Sequence, residues 1–241
     1  MPMRKPFENS PVAARVAPFG VFLFLTFAQN ECGEAARYWI YVLKTLVGAW
    51  LIWVTWPQVK EMRAKLSWEA VVVGVGVCVL WVGLDGVCVN LSEGITGLGQ
   101  KLGWSKPPEH PTPTLPWNPH AQFGDGSGAA WFYIAARILG SSLVVPFLEE
   151  VFFRSFLYRY IAKPDFESVS LSTFLPVPFI LTAVIFASEH GQYWPSGLLC
   201  GFIYHWLVLR KQRLGDAIVA HGITNFLLGV WVVWKGAWQF W

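Results

Sequence analysis

The feature that most limits how this chain can fold is a succession of long, nearly uncharged apolar segments. Each approaches the roughly 20 residues that a helix needs to cross a bilayer. We expect spans near residues 14–29, 38–56, 68–90, 129–147, 174–190, 193–210 and 214–234, with a shorter helix over 149–161. In lipid, helices satisfy their backbone hydrogen bonds within each segment. The pattern predicts an all-α fold, a polytopic membrane helix bundle of about seven to eight transmembrane helices.

The composition supports a membrane protein and excludes other classes. Hydrophobic residues make up 54% of the 241 residues and charged residues only 14%, against roughly a quarter charged in soluble domains. The net charge is +3, without a basic run interleaved with aromatic residues, so nucleic-acid binding is not indicated. The cysteines lack the paired spacing of a zinc ribbon or a disulfide framework. We interpret them as packing residues: Cys32, Cys78, Cys88 and Cys200.

The chain reads as a single membrane domain, 1–241, with one sizeable polar stretch. Residues 91–128 are rich in proline and glycine, which predicts an extramembrane loop rather than a helix. Basic residues precede the first span and recur in 57–67. The positive-inside rule therefore places the N-terminus and 57–67 in the cytoplasm and the proline-rich loop outside. No signal-peptidase-like site follows the first apolar run, so we expect it to be retained as a helix.

The topology of residues 129–161 has two alternatives. As one kinked crossing, this stretch puts the basic cluster 210–213 in the cytoplasm; as a hairpin, it puts the cluster outside. The positive-inside rule favours the kinked crossing.

The most costly stretch to place in a membrane contains Glu149, Glu150 and Arg154. A charge at membrane depth costs at least ~2.5–3.5 kcal/mol on insertion scales, so an unpaired cluster is not kept without a use. Arg154 follows Glu150 by four residues, which predicts an ion pair on one helical face. The Glu149 side chain lies about 100° away round the helix, so it is not needed for this ion pair and is free for another role. The alternative is a structural salt bridge that holds two helices together.

Two further polar groups stand in apolar segments. His190 ends one segment, four residues after Phe186, and His221 precedes Asn225 by four residues, so that both side chains share a helical face. His205 and Asp85 have no polar partner at such a spacing, and we interpret both as structural.

Together, these segments supply the residue types that peptide hydrolysis needs. A carboxylate and an imidazole can deprotonate water, and further donors can hold the oxyanion. The chain has no G-x-S-x-G turn and no H-E-x-x-H motif, so neither a serine hydrolase nor the commonest zinc protease is indicated. A set of two histidines and one carboxylate, here Glu149, His190 and His221, has the ligand count of a catalytic zinc site. Zinc therefore stays as an alternative.

The motifs and their order resemble a known family, the CAAX-processing and bacteriocin-processing (CPBP, Abi) intramembrane endopeptidases, related to the type II CAAX prenyl endopeptidases. The resemblance covers about residues 141–232, the motif-bearing core, while the N-terminal part is similar only in being hydrophobic. The family pattern E-E-x-x-x-R is matched by Glu149, Glu150 and Arg154, F-x-x-x-H by Phe186 and His190, and H-x-x-x-N by His221 and Asn225.

The resemblance implies a role for each motif residue, whereas the residues alone do not choose between Glu149 and Glu150. It implies an intramembrane glutamate-type protease that needs no metal cofactor. By position, Glu149 and His190 would activate the water. His221 and Asn225 would stabilise the oxyanion, and Glu150 and Arg154 would support the site.

The partners and the location follow from this interpretation. We expect a membrane-associated peptide or protein substrate, cleaved near its C-terminus, and a multi-pass protein of the bacterial cytoplasmic (inner) membrane. Two other classes remain as alternatives: a non-catalytic membrane adaptor or immunity-type protein of the same fold, and a small transporter. The intact motif set speaks against the adaptor, and the absence of visible inverted repeats against the transporter.

Overall fold

The computed structural model describes residues 5–86, 91–104 and 116–241. Cys88, the end of the third predicted span at 87–90, and residues 105–115 of the predicted loop lie outside the described residues. The described residues contain no β-strand, and the predicted all-α class is confirmed. The α-helices are α1 (Lys5–Glu8), α2 (Pro11–Glu31), α3 (Glu34–Thr55), α4 (Trp68–Gly83), α5 (Leu91–Lys101), α6 (Pro119–Phe123), α7 (Gly128–Leu143), α8 (Val145–Glu150), α9 (Tyr158–Ala162), α10 (Pro176–Ser188), α11 (Trp194–Lys211) and α12 (Gly215–Lys235).

Several of these helices have the length and character of membrane spans. In the described part of the chain, four helical runs are long and apolar enough to cross a bilayer: Pro11–Gln29, Ala36–Thr55, Gly128–Ala162 and Gly215–Lys235. α4 and α10 are apolar but shorter, with 16 and 13 residues. α11 has 18 residues and is not among the four runs. The protein is therefore a membrane helix bundle with four long candidate spans.

The run Gly128–Ala162 is helical with almost no interruption. Only Val144 separates α7 from α8, and a π-helical segment, Val151–Leu157, joins α8 to α9. Pro146 occupies the first turn of α8, where its missing N–H costs nothing because that position has no helical acceptor. No hairpin loop occurs in this run, which agrees with a kinked crossing.

The structure differs from the predicted irregular loop over 91–128 in two places. Leu91–Lys101 form α5, which packs against a 3₁₀ turn at Gly191–Tyr193. This helix contains no proline, and tertiary contacts can stabilise a helix that its glycines disfavour. Pro119–Phe123 form α6, whose first turn is capped by the Asn118 side chain, which accepts from the His120 amide at 3.0 Å.

α12 lies centrally and packs against α4, α7, α8 and α11. Small residues allow two of these approaches. A Cβ on Gly74 would stand 2.7 Å from the Ala220 carbonyl oxygen, and a Cβ on Gly222 would stand 2.8 Å from the Ser142 carbonyl oxygen. Such close backbone contact is typical of glycine at helix interfaces in membranes. It brings the polar face of α12 against the end of α7.

A buried polar network ties the start of α2 to the π-helical segment. Glu61, in the 3₁₀ turn Lys60–Met62, accepts hydrogen bonds from Arg15 at 2.8 Å, from Arg159 at 2.9 Å and from Ser155. Burial opposes ionisation of Glu61, but the charge of Arg15 and the hydrogen bonds from Ser155 and Arg15 outweigh it. These partners hold the pKa of Glu61 below its usual value.

Candidate active site

Four of the predicted site residues line one cavity between the helices. This cavity of about 260 Å³ is bordered by Glu149 of α8, by His190 just after α10, and by His221 and Asn225 of α12. The bundle therefore brings together side chains that are up to 76 residues apart in the sequence. Glu150 and Arg154 are not among the lining residues of the cavity. They are 0% and 1% exposed.

The two adjacent glutamates have different surroundings. The Glu149 side chain is 16% exposed, and its Oε2 is buried without a hydrogen-bond partner in the described residues. Oε1 of Glu150 lies 3.0 Å from Nδ1 of His221. Glu149 therefore faces the cavity, while Glu150 contacts His221 and does not line the cavity.

The predicted ion pair between Glu150 and Arg154 is present. Nε of Arg154 lies 3.2 Å from Oε2 of Glu150, although the orientation does not make a hydrogen bond. The guanidinium carbon also lies 4.3 Å from the ring centroid of Phe186, a cation–π contact that supports a buried charge. Through the contact with Phe186, the pair connects the π-helical segment to α10, and neither of its two residues lines the cavity.

His190 is held by the backbone of the helix that precedes it. Its Nδ1 lies 2.7 Å from the Phe186 carbonyl oxygen. Because a carbonyl oxygen only accepts, Nδ1 must carry the hydrogen, and a neutral ring then keeps the lone pair on Nε2. The ring packs edge-on against Trp81, with centroids 5.3 Å apart. The cavity wall thus has an imidazole of defined tautomer.

His221 and Asn225 are each fixed by a hydrogen bond to another helix. His221 stacks on Tyr204 with ring centroids 5.1 Å apart, and its Nε2 lies 3.9 Å from Oε2 of Glu149. Nδ2 of Asn225 donates to the Ser141 carbonyl oxygen at 2.8 Å. An amide nitrogen has two hydrogens, so Asn225 keeps one donor for a ligand.

Lys44 and Arg137 also line this cavity, and sequence reasoning did not single them out. Lys44 is in the middle of α3 and Arg137 is in α7. A signal was present, because each is a cation inside an apolar span, which costs at least ~2.5–3.5 kcal/mol at the bilayer centre. Neither has an acidic residue or a histidine at helical spacing that would have drawn attention to it.

The zinc alternative finds no preformed ligand set. Across the described ranges, no group of three His, Cys, Asp or Glu side chains is arranged to hold a metal ion. Of the candidate ligands Glu149, His190 and His221, both histidines already use Nδ1, one for the Phe186 carbonyl and the other for Glu150.

Comparison with known proteins finds one similarity to a protein family. Neither the curated proteins nor the solved structures include a match to this chain. Residues 130–227 match the family model described as type II CAAX prenyl endopeptidase Rce1-like. This region contains all six predicted site residues. Over residues 130–227, which are less than half of the chain, this membrane helix bundle is similar to the Rce1-like type II CAAX prenyl endopeptidases.

Proposed function

We propose that the protein is an intramembrane glutamate-type endopeptidase that hydrolyses a peptide bond near the C-terminus of a membrane-associated substrate. The observation that carries this proposal is the convergence of Glu149, His190, His221 and Asn225 on one cavity between apolar helices. Ionisable side chains at membrane depth are expensive and generally functional. In this proposal residues 1–241 form one domain of a bacterial cytoplasmic membrane, with the catalytic core at 141–232 and an extramembrane segment at 91–128.

Glu149 and His190 activate the attacking water. His190 has its Nε2 lone pair free, because Nδ1 donates to the Phe186 carbonyl. Glu149 lines the same cavity, and its Oε2 accepts no hydrogen bond from a described residue. As the water oxygen attacks the carbonyl carbon, its proton passes to one of these two bases. The same proton then reaches the amine when the C–N bond breaks.

His221 and Asn225 stabilise the negative oxygen of the tetrahedral intermediate. Asn225 has a second N–H beyond the one donated to Ser141. Nδ1 of His221 donates to the Glu150 carboxylate, so His221 donates into the cavity through Nε2 only as the imidazolium, which carries a hydrogen on both nitrogens. Arg154 is the ion-pair partner that keeps Glu150 in place. Donors fixed in this way need no reorganisation as charge develops.

The test is cleavage of a panel of lipid-anchored and transmembrane peptides by the purified protein in proteoliposomes, read by mass spectrometry. We expect wild type to cleave at least one peptide and Glu149→Gln to cleave none. Glu31→Gln is the matched control, since Glu31 is exposed at the end of α2. Cleavage retained in Glu149→Gln contradicts the proposed mechanism. Binding of the peptides by wild type without any cleavage contradicts the function and favours an adaptor.

A further inference from the structure

Two cations stand inside the bundle without an acidic partner. Lys44 is at the middle of α3 and is 5% exposed. Arg137 is half-buried in α7. Within the described ranges, neither side chain forms an ion pair, although other buried arginines do. Charges placed at membrane depth and left without a counter-ion point to a ligand that supplies one.

Aromatic rings hold both cations but do not neutralise them. The Tyr41 ring centroid lies 5.0 Å from Lys44 Nζ and 5.0 Å from the Arg137 guanidinium carbon. Trp117 lies 4.6 Å from the same carbon. Cation–π contacts support a charge yet leave its N–H donors free. Nζ of Lys44 donates one hydrogen bond to Oγ1 of Thr26, at 3.0 Å. The guanidinium of Arg137 makes no hydrogen bond to any described residue.

The two cations stand between the active-site cavity and a second, larger cavity. The second cavity has a volume of about 590 Å³ and shares five lining residues with the first, Lys44 and Arg137 among them. Glu34 also lines the second cavity. It is exposed and forms no ion pair with either cation in the part of the chain that the structure describes. The passage between the cavities is therefore lined by two basic side chains that have no acidic partner among the described residues.

Arg137 is close along α7 to the residue that fixes the proposed oxyanion donor. Arg137 precedes Ser141 by one helical turn, and the Ser141 carbonyl accepts from Asn225. One turn rises about 5.4 Å, whereas an extended peptide advances about 3.3 Å per residue. A peptide whose scissile carbonyl lies at Asn225 thus brings its C-terminal end to Arg137 about two residues later.

We propose that Lys44 and Arg137 bind the C-terminal α-carboxylate of the substrate and so select a bond at a set distance from a free C-terminus. This proposal rests on the proposed function, because it assigns the binding site for the C-terminal end of the same substrate. Arginine pairs with a carboxylate through two parallel hydrogen bonds, and lysine adds a point charge. A phospholipid headgroup is a second source of an anion, and the test separates the two.

The first test measures binding without turnover. The Glu149→Gln protein in neutral detergent is titrated calorimetrically with N-acetyl-Ala-Leu-Leu, as the free acid and as the C-terminal amide. We expect the acid to bind about 10- to 100-fold more tightly, the range of a charge-assisted hydrogen bond. Adding Arg137→Gln, or separately Lys44→Met, should remove most of this preference. The exposed Arg210→Gln is the control that keeps it. Equal binding of acid and amide overturns the proposal.

The second test uses any peptide that wild type cleaves, prepared in both forms. Arg137→Gln should raise KM about 10- to 100-fold for the acid and leave its kcat unchanged. The amide should be cleaved equally by both proteins. If phosphatidylglycerol vesicles, compared with phosphatidylcholine, abolish the acid preference in wild type, the site holds a lipid and the proposal is overturned. A wild type that cleaves nothing refutes the proposed function, whereas the binding comparison still decides the carboxylate site.

Discussion

Nδ1 of His221 lies 3.0 Å from Oε1 of Glu150, while Nε2 of the same ring lies 3.9 Å from Oε2 of Glu149. One imidazole thus stands between two sequential glutamates and contacts them through different nitrogens. Glu150 is fully buried and paired with Arg154, whereas Glu149 faces the cavity. This geometry suits one carboxylate for orienting the ring and the other for chemistry.

We predict that Glu149→Gln, His190→Ala and His221→Ala each abolish proteolysis while the protein stays folded. Residues that act as one catalytic unit lose function non-additively, so the His190→Ala/His221→Ala double variant should be hardly worse than either single. Turnover and thermal unfolding are measured in the same detergent. His120→Ala, in α6 and away from the cavity, should behave as wild type. Substantial activity in any of the three single variants contradicts the assigned roles.

Arg154→Ala should damage folding as well as activity. The substitution removes the guanidinium that pairs with Glu150 and packs on Phe186. Leaving one member of a buried ion pair without its partner lowers the free energy of unfolding by roughly 3–5 kcal/mol. The double variant Arg154→Met/Glu150→Leu removes both charges and should recover part of this stability without recovering activity. A thermal shift no larger than that of Arg210→Gln, an exposed arginine, shows that the pair contributes little.

The helices were predictable because lipid leaves few alternatives to a helix in long apolar segments. α2 begins where Ser10 and Pro11 provide a cap and a first-turn proline. α5 was not predictable, since its glycines disfavour a helix. Its stabilising contact with Gly191–Tyr193 joins segments that are distant in the sequence.

The site was predictable in part. The spacing of Glu150 and Arg154 predicted their ion pair, because residues four apart meet on a helix. Which glutamate faces the cavity depends on how α8 is rotated against α12, which local spacing does not encode. Lys44 and Arg137 come together only because α3 packs against α7, so no local pattern relates them.

Asn225→Ala should lower kcat about 10²–10³-fold with KM little changed, as for other oxyanion donors. The side chain has a donor left after its bond to the Ser141 carbonyl, and that donor acts only once the negative oxygen forms. Single-turnover kinetics separate this effect from substrate binding. Gln122→Ala, an exposed amide on α6, serves as the control. A defect confined to KM assigns Asn225 to substrate binding instead.

Glu61→Gln should destabilise the protein at neutral pH, and this effect should disappear in acid. The pKa of Glu61 is lowered in the folded state, despite burial, by Arg15 and by hydrogen bonds from Ser155 and Arg15. A lowered folded-state pKa contributes stability above the unfolded value, about 4.3 for glutamate, and this stability is lost as the pH falls through the folded pKa. Tryptophan-detected thermal unfolding between pH 7 and about pH 3 checks the convergence of the two proteins. Glu31→Gln, at an exposed position, should follow wild type throughout, and a wild-type advantage that persists in acid contradicts the assignment.

The last prediction concerns metal, which separates two mechanisms that use nearly the same residues. If Glu149 and His190 deprotonate a water that is not bound to metal, activity survives chelation and added zinc brings no gain. If Glu149, His190 and His221 hold zinc, chelation must abolish turnover and zinc must restore it, because the ion lowers the pKa of its bound water to about 7. Both histidines are already engaged at Nδ1, so three ligands could meet at one ion only through Nε2 of each ring and the Glu149 carboxylate. We expect full activity in chelator and substoichiometric zinc by elemental analysis. One mole of zinc per mole of active enzyme, lost together with activity in chelator, establishes the metal mechanism instead.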